Sequence, residues 1–104
     1  MLFHFQSGNV TFFPEDKEYF EKRLLDLEKL LGWEAGDEDT LDMRVNIEKT
    51  PHHSGEKFIA SATLTCPNHG KFHAEVSHED IKGCADLLKD KLKIQAVKFH
   101  DKHK

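Results

Sequence analysis

With 104 residues, 38% of them apolar and 33% charged, the chain can form one hydrophobic core but not two, which predicts a single domain over residues 1–104 and excludes a second globular unit. A formal net charge of −4 lacks the strongly basic balance of a duplex-binding protein, and no run approaches the roughly 18 consecutive apolar residues of a membrane span. Met1-Leu2-Phe3-His4-Phe5 has neither the basic start nor the long apolar middle of a signal peptide, so the expected compartment is the cytoplasm, with Cys66 and Cys84 as buried, reduced thiols.

Leu2 to Gln6 alternates, with Phe3 and Phe5 on one side and His4 and Gln6 on the other, which predicts a short half-buried strand ended by Ser7-Gly8-Asn9. Pro14 then opens a helix at the position where a missing N–H costs least, and Glu15, Asp16 and Glu18 follow where carboxylates suit the helix dipole. Phe20, Leu24, Leu27 and Leu31 recur at helical spacing and Gly32 is the expected stop, giving a first helix over 14–31. Trp33 to Thr40 reads as an acidic loop without periodicity. Leu41, Met43, Val45 and Ile47 alternate with polar residues in a second strand, and Thr50 to Gly55 is the expected turn after it. Phe58, Ala60, Ala62 and Leu64 mark a third strand; Pro67-Asn68-His69-Gly70 turns the chain into a fourth, with Phe72, Ala74 and Val76 inward.

Ser77 to Lys104 reads as one long helix, with Ile81, Cys84, Ala85, Leu88, Leu92 and Phe99 on one face and Ser77 with Asp80 as a capping box at its start. The order is β-α-β-β-β-α, and each strand is apolar on one side only. This predicts an α+β two-layer sandwich, a four-stranded mostly antiparallel sheet with two helices on one face and water on the other. The groove between the helices is then the expected functional surface.

Few residues invite catalysis. Cys66-x2-His69-x3-His73 has a tolerable zinc spacing, but the strand registers send Cys66 inward and His73 outward, so no metal site is expected. His52 and His53 fall in a turn and His100 and His103 near the chain end, where solvated imidazoles are the simpler reading. His78-Glu79-Asp80 places a base beside two carboxylates, yet at a helix start such residues serve as caps. With no nucleophile elbow and no phosphate-binding glycine loop, neither an enzyme nor a cofactor is expected.

Charge is segregated. Residues 81–104 hold seven Lys and three Asp, whereas residues 1–80 hold eight Lys or Arg against sixteen acids. At about 100° per residue, Lys82, Lys89, Lys93, His100 and Lys104 form one line along the second helix, and Lys91, Lys98 and Lys102 a second line on the opposite flank. The first helix adds Lys22, Arg23 and Lys29, so both elements of one layer present cations. No aromatic stacking motif is visible, so a nucleic-acid target would be read by shape and phosphate. The residues alone leave an RNA or ribonucleoprotein target and a protein partner both open.

The element order, Pro14, the Arg23-Leu24-x-x-Leu27-Glu28-Lys29 core of the first helix, the Pro67-Asn68 turn, and His78-Glu79-Asp80-Ile81 leading to Leu88-x-x-Lys91-Leu92-x-x-Gln95-x-x-Lys98 together are specific. Over nearly the whole chain they resemble the ribosome hibernation-promoting and ribosome-associated inhibitor family, also called sigma-factor modulation proteins. The resemblance implies a non-enzymatic stress or stationary-phase protein without a cofactor. It would bind the small ribosomal subunit and its rRNA near the decoding centre, where it blocks mRNA and tRNA; neither DNA nor a membrane is an expected partner. Carried over by position, Arg23 and Lys29 of the first helix and Lys91, Lys98 and Lys102 of the second would contact rRNA, with Lys22, Lys89 and Lys93 beside them. The chain departs from the family pattern at Ile94, where Arg is common, at Lys82-Gly83, and at Phe13 before Pro14. Its length resembles short forms, which lack the C-terminal domain that pairs ribosomes. The alternative is a protein-interaction module of the same fold that no longer binds the ribosome.

Overall fold

Alternation decides the two faces of the sheet. Met43, Val45 and Ile47, then Ala60, Ala62, Leu64 and Cys66, then Phe72, Ala74 and Val76 all turn the same way and are buried, while Arg44, Glu48, Lys71, His73 and Glu75 between them are exposed. The computed structural model describes residues 2–35, 41–52, 55–66 and 70–102, with the side chains of 29–35, 50–52, 55–56 and 99–102 left aside. The elements are β1 (Leu2–Ser7), α1 (Pro14–Ala35), β2 (Asp42–His52), β3 (Gly55–Cys66), β4 (Gly70–His78) and α2 (Ile81–Lys102). Strand order is β1-β2-β3-β4, with β1 parallel to β2 and the other pairs antiparallel. A parallel pair requires a crossover, and α1 supplies it.

Both helices bury one stripe on the apolar face. From α1 come Phe20, Leu24 and Leu27; from α2 come Cys84, Ala85, Leu88, Leu92 and Ala96, all at most 3% exposed. An aromatic chain ties β1 to α1: Phe5 lies 5.4 Å from Phe12, and Phe12 lies 5.2 Å edge-on from Phe20. On the other side the small residues Ala60, Ala62 and Ala74 let α2 settle close to the sheet, near enough for the Cys84 Sγ to donate to the Phe58 carbonyl at 3.7 Å.

Several boundaries differ from the predicted ones. α1 continues through Gly32 to Ala35, because glycine weakens a helix by only about 1 kcal/mol and does not end it unless it turns left-handed. The hairpin is longer than expected: Thr50, Pro51, His52 and Gly55 belong to strands, and Pro51 pairs with Glu56. Pro51 is tolerated because β1 pairs only as far as Ile47, so its missing N–H faces an open edge. There the Asn9 side chain takes the place of a strand, donating to the Lys49 carbonyl and accepting from its N–H, both at 2.8 Å. Ser77 is a strand residue opposite Ile59, not a helix cap. Gly70, the first residue of β4, has φ +87°, a conformation that glycine adopts without strain. The acidic segment 36–40 and the residues His53, Ser54, His69 and His103 lie outside the described residues.

Candidate functional site

The start of α2 fixes everything that follows on it. Asp80 caps it: its Oδ1 accepts from the Lys82 N–H at 3.3 Å, and its carbonyl accepts from the Cys84 N–H at 3.2 Å. The Asp80 N–H is satisfied in turn by His78 Nδ1 at 2.9 Å. His78 packs so tightly over Gly83 that a Cβ there would lie 2.5 Å from the imidazole, so Gly83 is required by the ring that closes the cap. His78 and Asp80 are therefore structural, as their position at a helix start predicts.

From this start the two lysine lines run along opposite flanks. The first faces α1, and there the expected groove is bridged by side chains. Tyr19 donates its hydroxyl to the Asp86 carboxylate at 3.0 Å, and Arg23 Nε lies 3.2 Å from the Tyr19 oxygen and 3.1 Å from Asp86 Oδ1. Arg23 and Lys82 also sit over the Tyr19 ring, at 5.3 and 5.7 Å from its centroid. One turn further on, Lys89 Nζ meets Asp26 Oδ2 at 2.9 Å. Arg23 and Lys89 thus join the helices to each other and carry partly neutralised charges. Lys93, next on this line, is exposed with no ion pair or hydrogen bond among the described residues.

The second flank overhangs β4, the edge strand. Gln95 donates to the His73 carbonyl at 2.7 Å and accepts from the His73 N–H at 3.2 Å, and Lys91 Nζ donates to the Glu75 carbonyl at 3.0 Å. These contacts cover outward backbone groups that another strand could otherwise pair with. Lys98 is exposed and makes no such bond among the described residues. On α1, Lys22 is also available, its side chain 74% exposed and only loosely paired with Glu18 at 3.7 Å. The side chains of Lys29 and Lys102 lie outside the described ones, although the backbone places both positions in helices.

Between the two lines the outward side of α2 carries Asp90, Ile94 and Val97, with Ile94 56% exposed. The opposite side of the molecule, the open face of the sheet, holds a shallow depression lined by His4, Gln6, Arg44, Asn46, Ser61 and Thr63. His73 belongs to that face, with Nδ1 2.8 Å from Thr63 Oγ1, whereas Cys66 is 1% exposed in the core, so the register separates them as predicted. Burial pushes both the Cys66 and Cys84 thiols up to about 11, which keeps them protonated and poorly nucleophilic near neutrality. Sequence periodicity located the lysines but not their partners. Asp26, Asp86 and Tyr19 were legible only as α1 or α2 surface residues, and Gln95 only as part of a motif.

A mixed four-stranded sheet with two helices on one face, and lysines along the outer helix, defines an α+β protein that presents its charged groups on a surface rather than in an enclosed cleft. The family model for Sigma 54 modulation protein / S30EA ribosomal protein matches residues 3–104, and the chain belongs to that family of ribosome-associated, non-enzymatic factors. The fold is shared with a ribosomal subunit interface protein from Coxiella burnetii, at TM-score 0.76 and 20% identity over 97% of this chain and 99% of that one. It is shared also with the Protein Y N-terminal domain of Thermus thermophilus, at TM-score 0.69 and 18% identity over 95% and 99%. A search of curated proteins gives no match. Among the described residues no helix is long and apolar enough to cross a membrane.

Proposed function

We propose that this protein is a cytoplasmic hibernation factor that lays its helical layer against rRNA of the small ribosomal subunit near the decoding centre and blocks mRNA and tRNA under stress. The observation that carries this reading is the family match over residues 3–104. The lysines of α2 agree with it, because Lys93 and Lys98 are exposed and without partners among the described residues. Lys22, Lys93 and Lys98 make the primary phosphate contacts, with Lys29 adding a cation from α1 and Lys102 extending the second line of α2. Lys91 contributes while tethered to β4, and Arg23 and Lys89 contribute only part of their charge because Asp86 and Asp26 already hold them.

The test is co-sedimentation with isolated small subunits between about 50 and about 200 mM salt, where each neutralised phosphate adds roughly 0.7–0.9 to the log–log slope. Binding should weaken steeply with salt, and the Lys93→Glu/Lys98→Glu form should bind weakly while keeping its fold. Binding indifferent to salt refutes the phosphate mechanism. Exposed Ile94 and Val97 in the middle of the lysines favour one alternative, a module of this fold that takes a protein instead. No binding to subunits at either salt would select it.

A further inference from the structure

The outward side of α2 has features that phosphate binding does not use. Ile94 is 56% exposed and the most exposed large apolar side chain described on either helix, with Val97 at 41% and Leu87 at 37% on the same side. Asp90 stands one turn before Ile94 and Lys98 one turn after it, each four residues away and so on the Ile94 side. Neither charge has an ion pair or hydrogen bond among the described residues.

We propose that this side of α2 is a self-association surface, on which two copies of the chain pack α2 against α2 in antiparallel orientation with Ile94 at the two-fold axis. The orientation follows from the charges. In an antiparallel pair centred on Ile94, the residue four before the centre faces the residue four after it on the other copy, so Asp90 meets Lys98 of the second copy, and symmetry repeats the contact. A parallel pair would set Asp90 against Asp90 and Lys98 against Lys98, which repels at both ends. The two Ile94 side chains meet at the centre, with Val97 of each copy beside them.

The surface is small. Three apolar side chains and two exposed ion pairs fall well short of the roughly 800 Å² per partner of a standard interface, so the dimer is weak and forms at high protein concentration. Lys93 lies on the flank of the contact, and its repulsion is damped at about 0.15 M salt, where the Debye length is about 8 Å. One consequence rests on the ribosome reading: Lys98 cannot serve Asp90 of a second copy and an rRNA phosphate together, so self-association and subunit binding would compete.

Sedimentation equilibrium of the full chain at about 0.15 M salt, without ribosomes, tests the proposal separately from that reading. The parent should show a concentration-dependent monomer–dimer equilibrium, and Ile94→Lys should weaken it at least tenfold with an unchanged circular dichroism spectrum. Asp90→Lys and Lys98→Asp should each weaken it, and the double variant should restore it, because the swapped charges meet again across the axis. A parent that stays monomeric throughout overturns the proposal and leaves the surface to a different protein. A dimer insensitive to Ile94→Lys, or not restored in the double variant, overturns it equally. Dimerisation without any subunit binding would sink the ribosome reading and leave this one standing.

Discussion

The two flanks of α2 carry the same residue type at similar spacing and put it to different uses. Toward α1, Lys89 pairs with Asp26, and Lys82 and Arg23 gather around Tyr19 and Asp86, so cations there fasten one helix to the other. Toward β4, Lys91 and Gln95 address backbone groups of Glu75 and His73, so polar side chains there close the edge of a sheet. The difference arises from what stands opposite: α1 offers carboxylates, and an edge strand offers unpaired N–H and C=O groups. A lysine count therefore overstates the charge free for a phosphate target. On both flanks the last lysine whose side chain is described, Lys93 or Lys98, is the one left over.

The most severe way to break this arrangement is beneath both flanks at once. Leu88 is fully buried between them, and Leu88→Ala should destabilise by about 2–5 kcal/mol through lost burial and a residual cavity. Thermal unfolding should show a fall of about ten degrees or more for a domain of this size. A loss near zero would mean that α2 is not seated on the sheet by this face.

The β4 flank can be broken alone. Gln95→Ala removes both bonds to His73 and should cost about 1 kcal/mol while leaving an edge on which a second strand can pair. Urea unfolding measures the first effect, and light scattering on mild heating the second; a variant as stable and as soluble as the parent would show that Gln95 does not protect the edge. Lys91 and Lys98, on the same line, should then separate. Lys91→Met loses the Glu75 bond and lowers stability by about 0.5–1 kcal/mol, whereas Lys98→Met stays within about 0.5 kcal/mol of the parent and still weakens subunit binding. Equal stability losses in the two variants would erase the distinction drawn between them.

Period-two and period-3.6 patterns carried the architecture, because one-sided burial leaves a direct trace in which residues are apolar: Met43 to Ile47, Phe72 to Val76, and Cys84 to Leu92 are where alternation and helical spacing placed them. What failed was local. Gly32 permits a helix stop and Ser77 a helix cap without compelling either role, so α1 runs through the first and β4 takes the second. The Phe12 contact with Phe20 and the Asn9 pairing with Lys49 were invisible, since both bring a loop back onto elements that the sequence does not label as neighbours. The lysines of the candidate site were legible from the helical wheel, but their pairing was not. Which acid meets Lys89 depends on how the two helices lie side by side, a tertiary fact with no periodicity of its own.

The mildest perturbation acts on the α1 flank and is the most informative about binding. Asp26→Asn keeps the shape of the side chain and removes the charge facing Lys89, whose ammonium lies 2.9 Å away. Because Lys89 is one-quarter and Asp26 about half exposed, the ion pair contributes only about 0.2–1 kcal/mol, so unfolding in urea should shift slightly. Subunit binding should move the other way. Lys89 freed from its carboxylate is available to a phosphate, and the loss of one acid lowers the repulsion between this flank and rRNA, so co-sedimentation should strengthen and its salt slope steepen by up to about one contact. Unchanged affinity would place the α1 flank outside the contact and leave the phosphate work to Lys98 and the line over β4. Weaker affinity would mean that the α1–α2 bridge holds the helices in the posture that binds.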